Sequence, residues 1–485
     1  MKISEISEKG RNGFFWLLLG TVGQNSLQLI SIIVLARVLS PEEFGVVGIG
    51  AAIIAFLRIF SEVGVGPALV QKDKITTIDI QTATAMSLIL GFVLSGILYF
   101  AASSISVFFE TPVLAGVLKA LAFMLPIVSY SVVGQSLLQR NLEFKKLSVI
   151  TFVSYFTAYG IVSIYMALHG YGMWSLVAAY WVQAAIYGIL LLINCPEARR
   201  VSFGLRSAKD MLNYGFGHSL ARVWNYVAGQ GDNLVIGKLL GAGSVGLYSR
   251  AYQVMSMPAI LFGSVIDKVF FPLMARIKSN TTELLQLYLS SISFSLIVFV
   301  YFSGYIYLFA EEIIYVLFGP GWEDVATLIK VMAVGLYFRI GYKFSDCLTM
   351  AVGKIYQRAV VQFMYAVAVL GFVLIGSRWG LFGASVGVVI AIFLNYLMMM
   401  YLAWGILNFR LLPVFLGHLK TLGLFVISIF LFNIAVLFKP DAWPFMDFIM
   451  SSLIYLACAI VVIVCFSRFL VGELLVVQII FSRRG

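Results

Sequence analysis

Apolar runs of about 20 residues, the length that crosses a bilayer as a helix, follow one another along this 485-residue chain from one end to the other. In lipid a backbone can satisfy its own hydrogen bonds only as a helix or a closed barrel, and runs this long and unbroken are helical. The fold class is therefore all-α and polytopic before any motif is read. Charged residues make up 11% of the sequence, against about 25% in a soluble domain, and no stretch is left over for such a domain. Fourteen spans are expected, from 13–36 and 44–70 to 417–438 and 444–467. The opening MKISEISEKGRNGFFWLLLGTVGQ has no small-residue cleavage site and is expected to be an uncleaved first span.

With fourteen spans both termini lie on one side of the membrane. That side collects 21 lysines and arginines, from Lys2 and Lys9 through Lys354 and Arg358 to Arg483 and Arg484, while the other holds Arg37, Lys238, Arg378 and Lys439. Positive residues are retained in the cytoplasm during insertion, so both termini are expected to be cytoplasmic. The net charge of +11 then faces anionic lipid and gives no reason to invoke nucleic acid.

The turns carry an internal repeat. LARVLSPEEFGVVGI (35–49) aligns with IGKLLGAGSVGLYSR (236–250) at an offset of 201, which places Arg37 on Lys238 and Gly45 on Gly246. GVLKALAFM (116–124) aligns with TLIKVMAVG (327–335), and YGMWSLVAA (171–179) with WGLFGASVG (379–387). A duplicated six-span unit is the simplest source, and an even number of spans gives both copies the same topology. The expected organisation is a six-helix lobe over 1–200, a second over 201–410, and two added helices with a tail over 411–485.

Signs of enzymatic chemistry are sparse. The pairs Gly237-Lys238 and Gly353-Lys354 are followed by Leu239 and Ile355, so the phosphate-cradling loop of ATPases is missing. His169, His218 and His418 lack ligand spacing, and Cys195, Cys347, Cys458 and Cys465 read as packing residues. No metal or cofactor is expected, with Na⁺ or H⁺ coupling the one ionic role left open. Glu311 and Glu312 sit in the longest outside connection, but consecutive residues on a helix point about 100° apart, and a solvated loop is expected there.

The charges inside the spans are the informative set: Arg58, Glu62, Lys119, Arg222, Asp232, Arg250, Asp267, Lys268, Lys330, Arg339, Lys343 and Asp346. An arginine at the bilayer centre costs about 3 kcal/mol and normally faces a cavity or a partner. Lys119, Lys268 and Lys330 lie near span ends, where they can reach the headgroups. Arg339, Lys343 and Asp346 fall at i, i+4 and i+7, one stripe of the tenth span. Arg222 shares a face with Tyr226, Gly229 and Asn233, with Asp232 beside it. Arg58 precedes Glu62 by four residues, the less favourable order for a helical ion pair. Arg58, Arg222, Arg250, Arg339 and Lys343 are thus the candidate anion-binding groups, because guanidinium suits phosphate oxygens. Glu62, Asp232 and Asp346 are candidates for charge balance or ion coupling. The competing reading of each is an interhelical pair that only fixes packing.

DNLVIGKLLGAGSVGLYSRAYQV (232–254) and LARVLSPEEFGVVGI (35–49) resemble the seventh-to-eighth span and first external turn of the Wzx-type polysaccharide-transporter flippases. These belong to the multidrug/oligosaccharidyl-lipid/polysaccharide exporter superfamily. The resemblance covers the whole chain and is closest to the branch exporting colanic and teichuronic acids. Its signature residues here are Asp232, Gly237, Gly246 and Tyr248. It implies a bacterial inner-membrane transporter that flips undecaprenyl-pyrophosphate-linked oligosaccharides to the periplasmic leaflet for exopolysaccharide or lipopolysaccharide synthesis, alongside a polymerase and chain-length machinery. The rivals are a drug antiporter on the same scaffold, which calls for acidic and aromatic cavity residues, and a lipid II flippase. A membrane-embedded glycan polymerase or ligase would need a large catalytic external loop.

Overall fold

The described part of every expected span is helical in the computed structural model, which describes residues 20, 23–62, 65–72, 75–439 and 444–466; a few side chains within the helices, among them Glu62, Arg222 and Lys268, lie outside the described set. The elements are α1 (Gly23–Ala36), α2 (Pro41–Glu62), α3 (Val65–Gln71), α4 (Thr77–Phe108), α5 (Leu114–Ala122), α6 (Leu125–Arg140), α7 (Phe144–Tyr155), α8 (Ser163–Leu168) and α9 (Trp174–Asn194). After them come α10 (Leu205–Arg276), α11 (Thr281–Leu308), α12 (Ala310–Phe318), α13 (Glu323–Ala351), α14 (Ile355–Gly376), α15 (Gly380–Leu407), α16 (Leu411–Leu437) and α17 (Pro444–Cys465). Among the described residues there is no strand.

Among the described residues length and composition alone mark nine helices as able to cross a membrane, or ten with the bent pair α5–α6 counted as one span. The difference from fourteen lies in α1, a shorter apolar helix, and in two longer helical stretches. At about 1.5 Å per residue the 72 residues of α10 would stretch well over 100 Å, so one straight helix is excluded; its backbone leaves helical geometry at Gly241, where φ is +84°. The stretch Ile355–Leu407 likewise divides at Ser377–Trp379, with Gly380 at φ +71°. Both reversals use the backbone freedom that only glycine has without strain. The α5–α6 bend of 42° lies just before Pro126, which has no N–H with which to continue the α5 ladder.

The chain divides into two compact units, residues 1–247 with 317–321, and 248–316 with 322–485. In the first unit the early part of α10 runs along α2. The Tyr226 hydroxyl donates to the Ala52 carbonyl, and the rings of Tyr226 and Phe56 lie 5.8 Å apart. Closer to the turns the approach is backbone to backbone: a Cβ on Gly45 would overlap the Ala242 carbonyl, and one on Gly246 would overlap the Pro41 carbonyl. Gly45 and Gly246 are matched by the repeat, and so are Pro41 and Ala242 at the same offset. Each member of one pair touches the mate of the other, the reciprocal pattern of a two-fold contact.

On the side expected to be cytoplasmic, the stretch leading into α10 is fastened to α4 and α6. Thr76 and Asp79 form a capping box at the start of α4, and Asp79 also takes Lys72 at 2.9 Å and the Ser207 hydroxyl. Gly204 N–H donates to Thr82 Oγ1 at 3.0 Å, and the Tyr130 hydroxyl to the Ala198 carbonyl at 2.9 Å. Arg140 closes the end of α3 by donating to the carbonyls of Leu69, Val70 and Lys72.

In the second unit α13 packs between α11 and α15, and α14 lies along α15. The added helices join through α11: Tyr301 meets Ser428 of α16 at 2.9 Å, and Tyr455 of α17 donates to the Tyr301 carbonyl at 2.7 Å. The stretch expected as a solvated loop near Glu311 is instead the helix α12, where Glu311 is exposed and accepts from Lys330 at 2.6 Å.

Candidate functional site

Helical periodicity places Arg339, Lys343 and Asp346 on one stripe of α13, and the fold turns that stripe toward the second half of α10. Arg339 is half-buried. Its Nη1 donates to the Tyr252 hydroxyl at 2.5 Å, and the guanidinium carbon lies 5.0 Å from the centre of the same ring. The phenol neutralises no charge, and among the described residues no carboxylate pairs with Arg339. One turn on, the Lys343 stem passes Gly263, where an added Cβ would stand 3.5 Å from Lys343 Cε. Its ammonium ends 3.1 Å from Asp267 Oδ2 and 3.8 Å from Asp346 Oδ2.

The two carboxylates around Lys343 differ sharply. Asp346 has 3% of its side chain exposed and accepts from both Nε and Nη2 of Arg358, the latter at 3.2 Å. Arg358 reaches it because Gly353 (φ +80°) turns the chain, so the first turn of α14 folds back onto the end of α13. Asp267 is 40% exposed and touches Lys343 and the Cys347 thiol, with Sγ at 3.4 Å. Bidentate pairing in a buried setting holds a carboxylate firmly, whereas a part-exposed single pair is worth about 1 kcal/mol or less. Asp346 is therefore a fixed tie between α13 and α14, and Asp267 a loosely held anion.

The other candidates are placed as follows. Arg250 is half-buried on α10 and donates to Gln253 Oε1 at 2.6 Å; it belongs to the second unit, with Arg339, Lys343 and Asp346. Arg58 is exposed near the end of α2, and Asp232 is buried and accepts from the Asn233 N–H at 2.8 Å; both belong to the first unit. The side chains of Glu62 and Arg222 lie outside the described residues. Of the span-end lysines, Lys119 stands 5.5 Å from the centre of the Tyr99 ring. At the α10 reversal Lys238 pairs with Glu110 at 2.8 Å, and that hydrogen bond and charge hold the Glu110 carboxyl below its ordinary range.

Sequence reasoning assigned no site role to Asp267 or Arg358. Asp267 was legible only as one more charge within a span, 76 residues from Lys343. Arg358 read as one of many cytoplasmic basic residues, although Gly353, between Asp346 and Arg358 in sequence, signals the reversal that joins them.

Residues 34–327 match the family of polysaccharide biosynthesis proteins. The chain belongs to that family. Its similar members include the succinoglycan biosynthesis transport protein ExoT of Rhizobium meliloti, 26% identical over 66% of this chain and 64% of that protein. The lipopolysaccharide biosynthesis protein WzxC of Escherichia coli is 24% identical over 71% of this chain and 70% of its own length. The teichuronic acid biosynthesis protein TuaB of Bacillus subtilis is also 24% identical, over 77% and 78%. The chain thus spans between about two thirds and four fifths of these relatives. Among solved structures, the lipid II flippase MurJ in an inward closed conformation superposes with a TM-score of 0.78 at 15% identity, covering 94% of this chain and 99% of that one. An inward-facing multidrug transporter of the MATE family gives 0.63 at 17%, covering 79% and 94%. At such identities the likeness is one of fold: this member of the family is a multi-pass helical membrane protein with the architecture of those transporters.

Proposed function

We propose that this chain flips lipid-linked oligosaccharide units from the cytoplasmic to the periplasmic leaflet of a bacterial inner membrane. The observation that carries the proposal is the cationic stripe of Arg339 and Lys343 on a membrane-spanning helix, in a family whose relatives are named for succinoglycan biosynthesis transport and for lipopolysaccharide and teichuronic acid biosynthesis. Sugars and a pyrophosphate are costly to move through hydrocarbon because their polar groups lose water without replacement. A polyprenyl tail pays no such penalty and remains in lipid. Transport therefore needs a path that receives the anionic head, and Arg58, Arg222, Arg250, Arg339 and Lys343 are the groups to receive it. No bond is made or broken, so the activity is transport rather than catalysis.

The path opens alternately to the two sides as two six-helix lobes, 1–200 and 201–410, rock about each other. The reciprocal contact of Gly45 and Gly246 with the carbonyls of Ala242 and Pro41 supports the duplicated organisation. Both termini are cytoplasmic, and Asp232, Asp346 or Glu62 balances charge or couples Na⁺ or H⁺. A polymerase and chain-length machinery take the product on the far side.

The test follows lipid-linked oligosaccharide in cells depleted of the protein, using a probe that reaches only the periplasmic face. The intermediate should accumulate on the cytoplasmic side. Wild type should restore it to the periplasmic face, and a chain carrying Arg339→Gln with Lys343→Gln should not. Normal export by that double variant would sink the site assignment. Accumulation of lipid II alone would reassign the substrate to peptidoglycan.

A further inference from the structure

Asp267, Lys343, Asp346 and Arg358 form one connected set in the second unit, in which two positive groups face two negative ones. Arg339, a turn away, adds a positive charge that its phenol partner Tyr252 leaves uncompensated. The negative groups are held unequally. Asp346 is buried and gripped by Arg358 through two nitrogens, while Asp267 is 40% exposed and, among the described residues, meets one ammonium and one thiol. An incoming anion can therefore replace only one of them at little cost.

We infer that Asp267 is a resident counter-anion, which keeps Lys343 paired while the site is empty and yields its place to the pyrophosphate group of a polyprenyl lipid. This rests on the proposed transport of such lipids. The charge count favours the exchange. A pyrophosphate diester carries two negative charges, and once Asp267 withdraws, Arg339 and Lys343 are left with two positive ones. Being one turn apart on α13, the two residues have Cβ atoms about 5–6 Å apart, so neighbouring phosphates of one head can engage one side chain each. Arg339 supplies the fork that suits two oxygens of one phosphate, and Lys343 the mobile point charge for the other.

The exchange also has a use. A site with two unpaired cations would hold a diphosphate too tightly to release it, and a carboxylate that returns to Lys343 competes with the cargo for the same ammonium. Asp267 thus lowers affinity in order to permit discharge, while Asp346 and Arg358 keep α13 and α14 in register throughout.

The test is equilibrium binding of labelled inorganic pyrophosphate to the purified full-length chain in detergent. Asp267→Asn and Asp267→Ser should each bind more tightly than wild type, on the order of tenfold for one removed competing charge. Asp267→Glu, which keeps the charge, should stay near wild type. Adding Lys343→Gln to Asp267→Asn should remove the gain. Farnesyl pyrophosphate, with the same group on a short prenyl tail, should bind more tightly than inorganic pyrophosphate; equal affinity would overturn the assignment to a lipid-borne group. Unchanged or weaker pyrophosphate binding by the neutral variants would overturn the role of Asp267. So would aggregation of both, because a loosely held anion is dispensable to the fold. None of these readouts requires export, so they stand or fall separately from the transport assay.

Discussion

At the level of single residues, what decides a charge's role is how many partners it has and how much water it keeps. Asp346 and Asp267 are both aspartates within reach of Lys343, yet only Asp346 is sealed from solvent and doubly bonded. Breaking a buried pair by deleting one partner strands the other charge, at a cost of about 3–5 kcal/mol. Arg358→Ala should therefore destabilise the protein near the lower end of that range, since Lys343 at 3.8 Å still offers Asp346 partial compensation. Thermal unfolding in detergent measures it, and adding Asp346→Asn should recover much of the loss. A small shift in the single variant would mean that the pair ties nothing. Three of the five residues in this cluster were legible in the sequence: the i, i+4, i+7 spacing put Arg339, Lys343 and Asp346 on one stripe. Asp267 and Arg358 were not, because their partners lie across a helix packing and a reversal, and periodicity within one element carries no information about either.

Among the elements, close approach of backbones is the organising device. Gly45 and Gly246 stand where any side chain would meet a carbonyl oxygen of the opposing segment, and a carbonyl cannot rotate away. Gly48, one turn along α2 from Gly45, is different: an added Cβ would lie 3.6 Å from Val245, ordinary contact. Gly45→Val and Gly246→Val should each cost about 1–3 kcal/mol, the usual range for overpacking, and reduce the yield of monodisperse protein. Gly48→Ala should be nearly neutral. Comparable losses at all three positions would show that the carbonyl contact is not what matters. The repeat was readable because turns preserve glycines at fixed offsets. Where individual helices break was harder to read, since α5 and α6 continue one apolar run while their axes bend by 42°.

Over the whole molecule, parity of the spans fixes which end of every site faces the cytoplasm. Among the described residues length and composition by themselves mark nine or ten crossings, because α1 is short, α10 with its break at Gly241 is not counted, and Ile355–Leu407 counts once across Ser377–Trp379. Charge supplies the independent constraint. With fourteen crossings the four basic residues Arg37, Lys238, Arg378 and Lys439 share one side, and removing or adding a single crossing would mix them with the basic cytoplasmic turns that follow it. The asymmetry holds a topology in place because lysine and arginine near span ends resist translocation. Alkaline phosphatase, active only outside the cytoplasm, should accordingly work when fused after Gly241 or after Lys439 and fail when fused after Arg276 or after Phe466. A green fluorescent protein fusion should give the opposite pattern. The fusion after Lys439 is the most discriminating, because it lies between α16 and α17 and reports on the last two crossings alone. Activity after Phe466 with none after Lys439 would reverse that final pair and place the carboxyl terminus outside. Activity after Arg276 would go further, turning the end of α13 that carries Asp346 toward the periplasm and overturning cytoplasmic loading at Lys343.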